Sequence, residues 1–172
     1  MVVTEPATML TDYALTLMCA VFAVRLYRRS EGRSVGLWVA AFSVTAFAAL
    51  AGGTAHGFRV PLGEDWSLVW RVTVVSIALG SALLVTAGIR SAVRPQSLDE
   101  RARREGILWL KRAIGVSLAG LAVLVLKLAP HRYFNHNDLY HVIQMGGLYC
   151  LYRGAVLLHG LNGSGRTRET GS

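Results

Sequence analysis

Acidic residues are scarce in this chain of 172 residues: ten Asp and Glu stand against eighteen Lys and Arg, and only 16% of all positions are charged, compared with roughly 25% in a soluble domain. Cysteine is scarcer still. Cys19 and Cys150 each sit in an apolar run, which excludes a disulfide framework and a paired-cysteine zinc motif and reads as two buried thiols. Residues 1–10 contain no Lys or Arg, so the basic start of a secretory leader is missing and the first apolar segment, with Asp12 at its front, is expected to stay in the protein. A basic helix interleaved with aromatics is also absent. Despite the net charge of +8, this argues against a nucleic-acid partner.

What the chain has in abundance is apolar length. Hydrophobic residues make up 53% and the mean hydropathy is +0.42, values that belong to a membrane protein. A bilayer core of roughly 30 Å needs about 20 apolar residues per helix. Five segments meet that need: 9–27, 35–57, 67–89, 107–128 and 138–161. The fold expected is an all-α integral membrane bundle of five transmembrane helices, one domain over 1–161, followed by a Gly-, Ser- and charge-rich tail, 162–172, expected to be disordered. A solvated helical lead over 99–104 is expected before the fourth segment.

Orientation follows from the basic residues. Fourteen of the eighteen fall in or beside the connection between segments one and two, in or beside that between three and four, or towards and beyond the end of five. Arg59, Arg71, Lys127 and Arg132 are the remainder. The positive-inside rule then places the N-terminus outside and the C-terminus in the cytoplasm of an inner membrane. Trp38, Trp66, Trp70 and Trp109 lie near expected helix ends, where indole rings favour the interface. Gly53 with Gly57, and Ala48 with Gly52, are small pairs four residues apart, suited to close helix crossing.

This topology sends the other polar residues to one face. Glu5 and Asp12 open helix one, Thr54 and His56 close helix two, Asp65 precedes helix three, and His136, Asn137, Asp138, His141 and Gln144 open helix five. Ionisable groups at membrane depth cost about 2.5 to 3.5 kcal/mol each, and they persist where they pair, line a cavity or do chemistry. Asn137 with His141, and His141 with Asp138 and Gln144, share a helix face. His136 lies about 140° from His141 on a regular helix and joins that face only if it precedes the helix, which Asn135 or Asn137 as N-cap would allow. Capping and interhelical bonding compete with a site role for the whole cluster. His131 and His159 read as structural, and Arg71 as a snorkelling or Asp65-neutralising cation.

Three imidazoles beside carboxylates suit a divalent metal, with zinc on His56, His136 and His141 and a water in the fourth position. Such a metal activates water, and Asp65 or Asp138 could orient an imidazole or act as base. A histidine closing an early helix, with a hydroxyl residue before it and an acid after it, and a histidine pair opening the last helix resemble the membrane hydrolase superfamily of alkaline ceramidases and progestin and adipoQ receptors. Glu5-Pro6 ahead of helix one is similar to the ceramidases. The resemblance implies a zinc-dependent hydrolase of a lipid amide or ester, with His56 and His141 as ligands, Asp65 as the acid and Thr54 as the hydroxyl. Asn137 and Gly52 stand where that superfamily has a histidine and a serine. The run Asn-His-Asn-Asp-Leu-Tyr-His, 135–141, and Leu151-Tyr152-Arg153-Gly154 look like a family of small uncharacterised bacterial membrane proteins.

Two other classes compete. His56 and His141 on separate helices could be the axial ligands of a haem b in an electron carrier. The cluster could instead lock helices together in a non-catalytic structural or partner-binding protein. Membrane lipids are the expected partners in every case.

Overall fold

With Pro6 at its first position, where no amide hydrogen is needed, and an apolar run behind it, α1 (Pro6–Arg29) starts without a side-chain cap. The computed structural model describes residues 3–30, 35–93, 99–131 and 133–161. After α1 come α2 (Gly36–Gly57), a single turn α3 (Arg59–Leu62) continued by the 3-10 turn Gly63–Asp65, then α4 (Trp66–Val93), α5 (Glu100–Val125) and α6 (His136–Leu158). Among the described residues there is no strand. The five long helices match the five expected segments, and the solvated lead before the fourth segment is the first turn of α5 itself. The same segment ends earlier than expected, because Lys127 takes a left-handed φ of 52°. The expected tail lies outside the described residues.

Four stretches are long and apolar enough to cross a membrane: Pro6–Arg29, Gly36–Gly57, Arg59–Val93 and Glu100–Val125. α6 is not among them. His136, Asn137, Asp138, His141, Gln144 and Arg153 interrupt its apolar sequence, so its polar groups need protein partners more than the other helices do.

Packing follows from small residues at the crossings. α2 lies between α1 and α4, α6 lies along α5, and the two groups join through α1 and α6. α4 and α5, consecutive in the chain, make no substantial contact. A methyl group on Gly53 would stand 2.8 Å from Tyr13 Cε1 and 3.0 Å from Asp12 Cβ, and one on Gly57 would collide with Met9. These glycines let α1 and Asp12 dock closely on α2. Gly53→Ala is therefore expected to displace α1 and cost about 1 to 3 kcal/mol, read as a lower midpoint of unfolding in detergent.

The core occupies the half of the bundle where α1 ends and α2 begins. Phe22 stacks on Tyr152 with centroids 4.3 Å apart and meets the edge of Phe42 at 5.5 Å. Trp38 is 1% exposed and donates from Nε1 to Ser91 Oγ at 2.9 Å, which in turn lies 3.1 Å from His159 Nε2. Trp38 lies near the start of α2, as expected, and its N–H finds an acceptor inside the bundle, so the ring is buried in protein. His159 takes part in that network, as its structural reading anticipated. Ser91→Ala should strand the indole N–H and cost about 1 to 3 kcal/mol, measurable by the same unfolding assay.

Candidate functional site

α6 begins with a reciprocal cap. Asn135 Oδ1 accepts from the backbone N–H groups of Asn137 at 2.7 Å and Asp138 at 3.3 Å, while Asp138 Oδ2 accepts from the Asn135 N–H at 2.7 Å. This capping box makes His136 the first helical residue. His136 therefore does not precede the helix, and the regular turn carries it away from the His141 face.

Asp138 has a second role. It is fully buried, and its Oδ1 accepts from Thr8 Oγ1 at 2.7 Å. A carboxylate out of contact with water needs donors on its oxygens. The cap and the Thr8 hydroxyl supply one to each, so Asp138 fixes the start of α6 against α1.

Two acid–imidazole pairs lie beside this anchor. His56 Nδ1 is 3.0 Å from Glu5 Oε2, which ties the end of α2 to the residue before α1. On α1, the Thr11 hydroxyl donates to Thr8 O at 2.9 Å. Its oxygen is then left to accept, and it does so from His141 Nδ1 at 3.0 Å. This assignment, drawn from the hydrogen-bond network, leaves His141 Nε2 facing Asp12 Oδ1 at 3.5 Å. The two atoms lie close enough together for one donor entering the cavity to reach both.

These groups open into a cavity of about 340 Å³, at the small end of the range for ligand sites. Asp12, His56, Asn137, His141 and Gln144 all line it. Residues expected from sequence thus arrive from α1, α2 and α6 at one place. Trp70 and Tyr140 complete the polar end, with His56 edge-on to Trp70 at 5.6 Å. Asp65, Thr54, Asp138 and His136 are not part of the wall. Asp65 is exposed in the turn before α4, and Thr54 donates to Leu50 O at 2.8 Å and lies 3.3 Å from the Tyr13 hydroxyl. Glu5 reaches the site only through His56.

Thr8, Trp70 and Tyr140 were missed as site residues. Thr8 and Thr11 precede Asp12 by one helical turn and by one residue, and the Thr8-to-Asp12 spacing of four was the signal that α1 carries a polar stripe.

The donor geometry bears on zinc and haem. Among the described residues no three His, Cys, Asp or Glu side chains are placed to hold a metal ion, and His136 is separated from the other two imidazoles by the helix start. For a haem held by two histidines, His141 Nε2 is the atom an iron would require, because Nδ1 is bonded to Thr11, and that atom faces Asp12. The residues present fit neither group as they stand.

A family profile described as a family of unknown function, DUF6962, matches residues 7–104 and 96–159. No curated protein and no solved structure matches the chain, and the likeness to the alkaline ceramidases gains no support from these comparisons.

Proposed function

Since the chain belongs to DUF6962, a family of unknown function, we propose its role from the chemistry of its own site: it is a membrane protein that admits the polar end of a lipid to the Asp12–His141 cavity and hydrolyses an ester or amide link there. The observation that carries this reading is the convergence of Asp12, His56, Asn137, His141 and Gln144 on one cavity. The proposed topology has five spans, an outer N-terminus and a cytoplasmic C-terminus. α6 spans despite its polar residues because it turns Asp138 and His141 towards α1. The seam between α4 and α5, which do not pack together, gives a lipid a side entry.

In this reading His141 Nε2 takes a proton from a water whose oxygen attacks the carbonyl carbon. The carbon–oxygen or carbon–nitrogen bond then breaks, and the same proton, shared with Asp12, passes to the leaving oxygen or nitrogen. Thr11 holds the imidazole in register through Nδ1. Asn137 and Gln144 offer amide hydrogens to the carbonyl oxygen.

Release of fatty acid from ester- and amide-linked lipids in nanodiscs, followed by mass spectrometry, tests the activity. His141→Gln and Asp12→Asn should each reduce the rate about 100- to 10,000-fold, the usual loss with a general acid or base. Absence of release from every lipid class by the unaltered protein would reject hydrolysis. Orientation is tested with an impermeant thiol reagent, because both native cysteines are buried. Glu64→Cys should label in intact cells and Arg101→Cys only after lysis; the opposite pattern would invert the topology.

A further inference from the structure

The cavity is long rather than round. Its wall runs from Thr45 to His56 on α2 and from Trp70 to Leu84 on α4, about 16 and 21 Å at 1.5 Å per residue. Polar atoms gather at one end. Further down, Leu15, Ala48, Ala49, Ile77 and Leu84 line it, and the hydroxyls of Thr45 and Thr73 are bonded to Ala41 O at 2.8 Å and Val69 O at 2.9 Å within their own helices. The inner part of the slot is therefore largely apolar in contact, with the Ser81 hydroxyl the added polar group in its lining.

The polar end holds two acids, Asp12 and Glu5, and two imidazoles, His56 and His141. Among the described residues, no Lys or Arg lines the cavity. Asp12 stands in the wall and Glu5 stands behind His56 at 3.0 Å. With both acids ionised, protonation of both imidazoles brings the site only to neutrality. An anion would meet Asp12 in the wall, with Glu5 close behind His56.

We infer that the cavity selects an amphiphile whose head group is cationic or uncharged and bears hydroxyl or amine hydrogens, with one alkyl or acyl chain laid along the slot walled by α2 and α4 on one side and by α5 and α6 on the other, and that it rejects phosphate- and carboxylate-headed lipids. This rests on the reading of the cavity as a lipid site, and it adds the head-group class.

Three probes with one identical brominated chain separate the possibilities: an alkyl glycerol ether, an alkylamine and an alkyl phosphate, none of which carries a cleavable ester or amide. Each is titrated into nanodiscs of zwitterionic lipid holding the intact protein, and tryptophan fluorescence is read against the Trp70→Phe variant to isolate the ring in the cavity wall. The ether and the amine should quench Trp70 saturably. The phosphate should bind about tenfold more weakly or worse, as like charges brought together require. Glu5→Gln and Asp12→Asn should each narrow that gap, and the two provide independent readings if one variant folds poorly. Equal binding of the phosphate would overturn the head-group inference and leave the lipid site standing. No saturable quenching by any probe would remove the lipid site itself, and the inference with it.

Discussion

Asp138→Ala should destabilise the protein by about 3 kcal/mol or more. Its carboxylate accepts from the Thr8 hydroxyl and the Asn135 amide, both at 2.7 Å, and hydrogen bonds to a charged group contribute about 1.5 to 3 kcal/mol each. The substitution also halves the capping box that starts α6, a feature whose loss costs about 1 kcal/mol, and it leaves the Thr8 hydroxyl, 1% exposed, without its acceptor. Asp138→Asn should cost less. Its amide oxygen still serves Thr8, but its NH2 group then faces the Asn135 N–H. Unfolding in detergent, by heat or by titrated SDS, measures both. A loss below about 1 kcal/mol for the alanine variant would mean that α1 and α6 are held by something other than this anchor.

The ranking of carboxylates in the site was only partly legible in the sequence. Spacing along α6 put Asp138, His141 and Gln144 on one side of a helix, and apolar length gave all five long helices to within a few residues at most ends. Spacing could not say which acid faces an open space. Asp12 and Asp138 are both nearly or fully buried, yet one faces an imidazole across the cavity wall and the other is consumed by a helix cap. That difference depends on Thr8, 130 residues before Asp138 in the chain, and on the glycines of α2 that set the depth of α1. The cap also decided His136. An N-cap at Asn135 and one at Asn137 were equally good readings of residue type, and the reciprocal bond from Asp138 selects the first. Trp38 shows the same limit: its place near a helix end was legible, but its burial in protein depends on Ser91, on another helix, as the acceptor.

Gly154→Val is expected to be as damaging as the loss of Asp138, and the reason lies in how little holds α5. Only 11% of its apolar window is buried, and its one extensive partner is α6. Along that seam a methyl on Gly154 would stand 2.7 Å from Leu110 Cδ2 and 3.3 Å from the backbone oxygen of Gly106. Leu110 can rotate, but the carbonyl cannot, so a β-branched side chain must separate the two backbones. Overpacking of this kind costs about 1 to 3 kcal/mol when neighbours yield, and more is expected where the obstacle is main chain. Gly115→Ala, on α5 itself, is the control. Nothing lies within 4 Å of the added methyl there, and the better helix propensity should stabilise the protein by about 0.5 to 1 kcal/mol. Opposite signs for these two changes in SDS-titrated unfolding would identify the α5–α6 seam as the contact that keeps one wall of the cavity in place. Equal small effects would mean that α5 is held from outside the chain.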